Sequence, residues 1–535
     1  MLSVHRSERA DHLVESLGDL LLDALADPMA VEIVAVPSRG VERWLTQRLS
    51  HRLGATVGGD GVCANMEFPF PGTLVGEATS VACGLDPEAD PWPPDRSVWP
   101  LLEIVDENLG ATWLEPLVDH LVAGSPDASQ LRRFATVRHL ADLFDRYAVH
   151  RPDMIRQWVE TVAGTTGARD WQAELWRRLR QRIGVPSPAE RVEAAIATLV
   201  EQPELLDLPA RLSLFGLTRL PASHLPVLEA IAQNREVHLF LLHPSGRLWN
   251  SVEAGAEGLP VYPVSRSDDP TASLAVNPLL RSWGRDAREM HLVLRSRGVT
   301  GGEHRPVPEH SSSHRTLLER LQSDVRANRE PPGGPRTSTE ADPRPPIDPG
   351  DGSLRVHSCH GRLRQVEVMR DVLLHLLADD PTLEPRDIIV MCPDVESFAP
   401  LIHAVFGSSN QPTSYDGEDA HWPKEPGPPQ VRARIADRSI RQTNPVLAVA
   451  AKLLELASGR LPASEVLDLA GSESVARRFH FDEDELGQLE RWVGETGIRW
   501  GLDREHRAPW HLGHVPDNTW HAGLDRLLLG VAMAE

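Results

Sequence analysis

Apolar residues at Leu13, Val14, Leu17, Leu20 and Leu21 recur at helical spacing and predict an amphipathic helix within residues 11–29. The run VEIVAVP over 31–37 is short, rich in β-branched residues and closed by Pro37, as a buried strand should be. Helical spacing returns in SRGVERWLTQRLSHRL through Val41, Trp44, Leu45 and Leu49. A helix–strand–loop–helix order predicts an α/β sheet. Its loop, Pro37-Ser38-Arg39-Gly40, falls at a strand's carboxyl end, where open α/β sheets bind ligands. An ATPase of this architecture would be expected to hold its phosphate loop there.

Residues 97 to 205 read as helical, most clearly over 130–147, where Leu131, Phe134, Val137, Leu140, Leu143, Phe144 and Tyr147 repeat every three to four positions. Strands return at RLSLFGL (211–217) and EVHLFLLHP (236–244), around the helix HLPVLEAIAQN. That is a βαβ unit, so the helical block reads as an insertion within one α/β domain. The Pro-, Gly- and charge-rich stretch 328–350 reads as a linker. Beyond it, LRVHSCH (354–360) and PRDIIVMCPD (385–394) are expected to be strands around a helix in RQVEVMRDVLLHLLAD, with a helical pattern from 445 onward. The apolar pattern still runs at LLLGVAMAE, so this second domain is expected to be incomplete.

Composition adds exclusions. Hydrophobic residues make up 41% of 535, enough for several packed cores. The four cysteines, Cys63, Cys83, Cys359 and Cys392, form no CxxC pair, which argues for a reducing cytosol. The opening residues carry charge before any signal-like apolar stretch forms, and no run is long enough to cross a membrane. A soluble cytoplasmic protein with no membrane contact is expected. The formal charge of −22 weighs against nucleic acid, but net charge is a mean and one groove can still be lined with Arg.

Lys424 and Lys452 are the only lysines, a bias read first as that of a GC-rich genome. A P-loop needs Lys at the end of GxxxxGK[ST] to reach the β- and γ-phosphates. Lys424 lies in HWPKEPG and Lys452 in VLAVAAKLLEL, neither after a glycine loop. A P-loop ATPase site is therefore excluded on this stretch.

Three clusters are candidates for chemistry. Arg39 and Arg43 either reach phosphate or guanine edges from the strand's end or are exposed arginines beside a core Trp44. Asp142 and Asp145 fall opposite the Leu140, Phe144 and Tyr147 face of their helix. There they either accept from cytosine N4 or form an ordinary solvated face, and they lack a third partner for catalysis. His357-Ser358-Cys359-His360 looks like a metal cluster, yet no second ligand pair follows at zinc-like spacing. No metal site and no catalytic residue are expected.

Several long segments resemble the RecC family, the exodeoxyribonuclease V gamma chain. They are VPSRGVERWLTQRLSHRLG, EFPFPGTLV, ADLFDRYAVHRPDMIRQW, FGLTRLPASHLPVLEAIAQNREVHLFLLHPSGRLW, NPLLRSWGRDAREM, HGRLRQVEVMRDVLL, PRDIIVMCPDVESFAPLIHAVFG, ADRSIRQTNPVL and RWVGETGIRWGLD, in the family's order. The resemblance implies tandem superfamily 1 helicase-like (RecA-like) domains with helical insertions and a degenerate ATPase site. On that basis domain 1 is expected over 1–327, with an α/β core at 1–96 and 205–327 and its insertion at about 97–204. Domain 2 is expected over 351–535.

It also implies a non-catalytic subunit that guides single-stranded and forked DNA between RecB-type and RecD-type motors. ATP and Mg would be bound by those partners, and no cofactor by this chain. The family's hotspot-scanning surface carries over by position to Pro37, Arg39, Arg43, Phe70, Asp142, Leu143, Asp145 and Arg151. Arg39 and Arg43 stand where the best-known pattern has uncharged polar groups, and Phe70 and Gly76 replace a bulky apolar pair. Arginines satisfy different base edges, so the expected preference is a hotspot other than the standard Chi octamer, or none. Two alternatives stay open at this point: an AddB-type helicase/nuclease subunit, and a structural partner-binding protein without DNA contact.

Overall fold

The structure is a computed structural model that describes residues 2–27, 29–55, 61–122, 126–160, 170–255, 266–299, 302–307, 316–334, 337, 341–407, 433, 435 and 444–533. It divides into two units, Met1–Leu121 with Phe134–Val356, and Val122–Arg133 with His357–Glu535.

The first unit is built on a parallel sheet, six-stranded among the described residues. Its elements run β1 (Leu2–Ser7), α1 (Ala10–Leu21), β2 (Glu32–Ala35), α2 (Arg39–Ser50), β3 (Met66–Glu67) and α3 (Pro71–Ala82). A helical stretch follows: α4 (Pro94–Glu107), α5 (Glu115–Val122), α6 (Pro126–His150), α7 (Pro152–Glu160), α8 (Trp171–Ile183) and α9 (Pro188–Glu201). The sheet resumes with β4 (Arg211–Leu217), α10 (His224–Ile231) and β5 (Glu236–Leu242). Next come α11 (Gly246–Gly255), α12 (Pro278–Ser282), α13 (Arg285–Ser296), β6 (Glu303–His304) and α14 (Leu317–Arg326).

Strand order is β3-β2-β4-β5-β1-β6. The central strands β4 and β5 are buried along nearly their whole length, as parallel strands covered on both faces must be. One face packs Ala35, Leu212, Leu214, Val237, Leu239 and Leu241 under α3, α9, α10 and α13. The other packs Val34, Val36, Phe215 and Phe240 under α1 and α2.

The helical stretch has a core of its own, where Phe144 meets Trp176 edge-on at 5.3 Å and Trp92 lies 4.8 Å from Trp176. Local signals set its boundaries. Gly184 ends α8 in a left-handed conformation, and Ser187 and Glu190 form a capping box with Pro188 at the first position of α9. The buried Arg191–Asp90 pair, at 2.7 Å, ties α9 to the loop before α4.

Two expectations are corrected here. Strand β1 was not anticipated, because LSVHRS buries only Val4 and Ser7 and carries polar residues between them. It pairs with both β5 and β6 and makes the β1–Glu8-Arg9–α1 turn a strand–loop–helix unit like the one after β2. The place where an ATPase would cradle phosphate is therefore not confined to residues 37–40, and the loop after β1 holds a carboxylate and no glycine. Residues 354–360 and 385–394 form no strand among the described residues. A strand needs a ladder partner, and these stretches have none among the described residues: Val356 is 92% exposed and Met391 87%.

The second unit is helical among its described residues, with helices at Gly361–Asp379, Val395–Gly407, Pro445–Ser458, Ala463–Ala470, Glu473–Phe479, Glu483–Glu495 and Trp520–Met533. Arg507 organises the stretch before the last helix. Its guanidinium lies 4.4 Å from the Trp500 ring and donates to the carbonyls of Trp500, Val515, Asp517 and Asn518. Among the described residues no helix is long and apolar enough to cross a membrane.

Candidate nucleic-acid interface at the carboxyl edge of the sheet

Parallel strands deliver their following loops to one edge. At two places on it, neighbouring strands send the chain in opposite directions: β2 outward to β3 beside β4 toward β5, and β1 toward β2 beside β5 toward β6. Crevices open at such divergences.

The β2/β4 corner holds the first predicted cluster. Ser38 caps α2 by accepting from the Val41 N–H at 3.3 Å, and the Val36 N–H donates to the Pro69 carbonyl at 3.0 Å. These bonds set the 36–39 turn beside the turn that starts α3. Pro37, Arg39 and Phe70 are all exposed there. Arg39 pairs with Glu42 at 2.6 Å, and its guanidinium sits 5.4 Å above the Phe70 ring. Arg43 is exposed one turn further along α2. A side chain at Gly76 would meet nothing within 4 Å, so that face of α3 is open. Gly216 has φ of +73° at a register shift in β4, and an added Cβ there would lie 3.8 Å from Val41.

The second cluster lies on the last turns of α6. Leu140, Ala141, Phe144 and Ala148 are buried, Asp142 and Leu143 are half-buried, and Asp145 and Arg151 are exposed. Asp142 lies 3.6 Å from Arg138, one turn back. Asp145 is open to water yet ringed by protein, and that crowding, with Asp142 behind it, raises its carboxyl above the usual range. Leu143 packs against the helical core and offers only part of its side chain to solvent.

The loop after β4 joins the two clusters. Ser223 Oγ donates to the Val149 carbonyl at 2.6 Å, and Arg219 Nη2 lies 3.4 Å from His150 Nε2. His224 starts α10 with its ring 4.0 Å from where a Cβ on Gly72 would stand. Burial, with His150 adding to it, lowers the His224 ring to about 4. Arg219, Ser223, His224 and His150 were not anticipated. The rule that singled out the loop after β2 applies equally to the loop after β4, so FGLTRLPASH carried the signal.

The β5/β1 corner gathers Arg6, Glu8, His243 and His304. The His243 N–H bonds the Ser7 carbonyl at 3.1 Å, Arg6 lies 4.8 Å over the Trp249 ring, and Trp249 stacks on His291 at 3.7 Å. Burial holds the His243 ring at about 4, hence neutral.

These features define a parallel-sheet α/β protein with a helical stretch between its strands, whose exposed cations and aromatic stand at the sheet's carboxyl edge. A model described as "RecC, N-terminal domain" matches residues 2–328, and one described as "RecBCD enzyme subunit RecC fourth domain" matches 443–535. The chain belongs to the RecC family. RecBCD enzyme subunit RecC of Mycolicibacterium smegmatis is 44% identical over 538 residues, covering 100% of this chain and 46% of that protein. The Mycobacterium tuberculosis H37Rv protein is 42% identical over 547 residues, with 100% and 46% covered. The Escherichia coli K12 protein is 31% identical over 568 residues, with 100% and 48% covered. The chain thus spans a little under half the length of these curated relatives.

Proposed function

We propose that this chain is part of a RecC-type, non-catalytic subunit of a RecBCD-type complex acting in DNA repair and recombination. It guides single-stranded and forked DNA and holds RecB-type and RecD-type partners, which bind the ATP and Mg. On this reading the chain holds tandem superfamily 1 helicase-like domains, 1–327 with an insertion at about 97–204 and 351–535 with one from about 445, joined by a 328–350 linker.

One observation carries the DNA reading: Arg39 sits over the exposed ring of Phe70 at the sheet's binding edge. A base stacks on an aromatic face whatever its identity, and a guanidinium beside it meets phosphate or a guanine edge. Pro37, Arg43, Asp142, Leu143, Asp145 and Arg151 complete the proposed strand path, with Arg219 linking its halves. The half-buried Asp142 and exposed Asp145 favour cytosine N4 donors and repel phosphate, so they would face bases. With arginines in the loop, the preferred sequence is a hotspot other than the standard Chi octamer, or there is none.

The test is salt-dependent binding of a labelled single strand to the assembled complex. Binding that weakens steeply with salt is expected, and no binding at low salt would sink the DNA role and leave a purely structural partner.

A further inference from the structure

We propose that Glu8, His243 and His304 form a binding site for one divalent transition-metal ion of the zinc class. Their positions are 235 and 61 residues apart in sequence, and the sheet alone brings them together. Glu8 follows β1, His243 follows β5, and His304 ends β6, whose pairing sets Arg6 opposite His304. One ligating atom from each lies within 4.8 Å of the others, and Glu8 Oε1 is 3.1 Å from His304 Nε2. Tetrahedral coordination with bonds of about 2.0–2.1 Å separates ligand atoms by about 3.3 Å. One pair already meets that spacing, and the others, within 4.8 Å, need to close by no more than about 1.5 Å.

Burial is the independent observation. His243 is 2% exposed, and apart from an approach to the Ser245 backbone its ring nitrogens make no well-formed hydrogen bond with protein. Glu8 Oε2 is buried without one as well. Buried polar atoms are almost always satisfied, so an under-satisfied imidazole facing a carboxylate and a second imidazole suits a ligand that accepts lone pairs. The backbone makes room for the group: a Cβ on Gly246 would stand 2.6 Å from the Glu8 carboxylate and 3.3 Å from the His304 ring.

Two imidazoles and one carboxylate suit zinc, cobalt or nickel better than magnesium or calcium, which prefer oxygen. Three protein ligands leave a fourth position for water. Arg6 is the opposing charge. It lies over Trp249 beside Glu8, while Glu253 on α11 is engaged by His291 and Arg295 from α13. Arg6 competes for Glu8, so the affinity is moderate rather than that of a four-thiolate site. The ion would pin the two-residue strand β6 to β1 and β5.

Titration of the full chain with Zn²⁺, and with Co²⁺ followed by its visible absorption, tests this. One saturable equivalent is expected, with a rise in melting temperature on zinc addition. Glu8→Gln and His304→Gln should each weaken uptake tenfold or more and abolish that rise, while His521→Gln, at an exposed surface histidine, changes neither. His243→Gln should do the same. If it fails to fold, His304→Gln decides, because His304 is only partly buried. Equal uptake by all variants, or no saturable uptake by the parent chain, would overturn the site.

Discussion

At the β2/β4 corner Arg39 and Phe70 stand in solvent with one ion pair between Arg39 and Glu42, whereas at the β5/β1 corner His243 is 2% exposed with neither ring nitrogen in a well-formed hydrogen bond. Both corners sit on the same edge of the same sheet. The exposed one carries solvated cations whose interactions with protein are weak, so an incoming polyanion displaces little. The buried one has already lost the hydration of its polar atoms, and only a tightly held group restores what was lost. Exposure suits a surface that must grip and release a moving strand; burial suits a fixed ligand.

The sharpest way to break the contrast is to remove what both corners share. Phe240 lies fully buried in β5, stacked on His5 at 4.5 Å and 5.9 Å from Phe215. Phe240→Ala should cost about 3–5 kcal/mol in urea unfolding and impair both corners together. Loss at one corner alone would show that they do not depend on a common support.

Arg39→Ala with Arg43→Ala should separate them. Single-strand affinity at low salt should fall about tenfold, and the salt slope by about 1.4 if each arginine meets one phosphate. Unfolding should shift by no more than about 0.5 kcal/mol, since both side chains are exposed. Ser38→Ala removes the cap that sets the Arg39 turn and should cost about 1 kcal/mol by thermal melting.

The smallest effect is on pH. Folded His224 stays neutral down to about 4, while the unfolded ring takes up a proton below its ordinary 6.5. The unfolded state therefore binds more protons between those values. Its contribution to stability is complete above pH 6.5 and is lost as pH falls toward 4. His224→Gln should flatten part of that slope in urea titrations at pH 7.5, 6 and 5; an unchanged slope would assign it to other groups.

Sequence made some of this legible and hid the rest for physical reasons. β4, α10 and β5 are continuous apolar runs around a helix, so residues 211–244 could be read directly. β1 was hidden because His5 and Arg6 sit between its buried positions and find their partners far along the chain, His238 in β5 and Trp249 in α11. The 385–394 segment shows the converse error: apolar and β-branched residues favour a strand, but pairing is non-local and composition does not supply it. The candidate interface was half visible. Arg39, Arg43 and Phe70 lie in or beside turns that punctuate the pattern, whereas the link through Arg219 and Ser223 to Val149 and His150 spans about 70 residues. The Glu8–His243–His304 cluster has no sequence signature, because no ligand spacing rule reaches across 235 positions.

The register of β1 sets Leu2 against Val237 and His5 against Glu303. During synthesis at about 5–20 residues per second, the 235 residues between the first of those pairs take roughly 10–50 s to emerge. Throughout that interval β1 has no edge to join and Phe240 does not yet exist to cover His5. The nascent chain must therefore keep its first strand unpaired until β5 emerges. This makes the early ribosome-bound intermediate, rather than the finished protein, the state most exposed to mispairing and most dependent on chaperones.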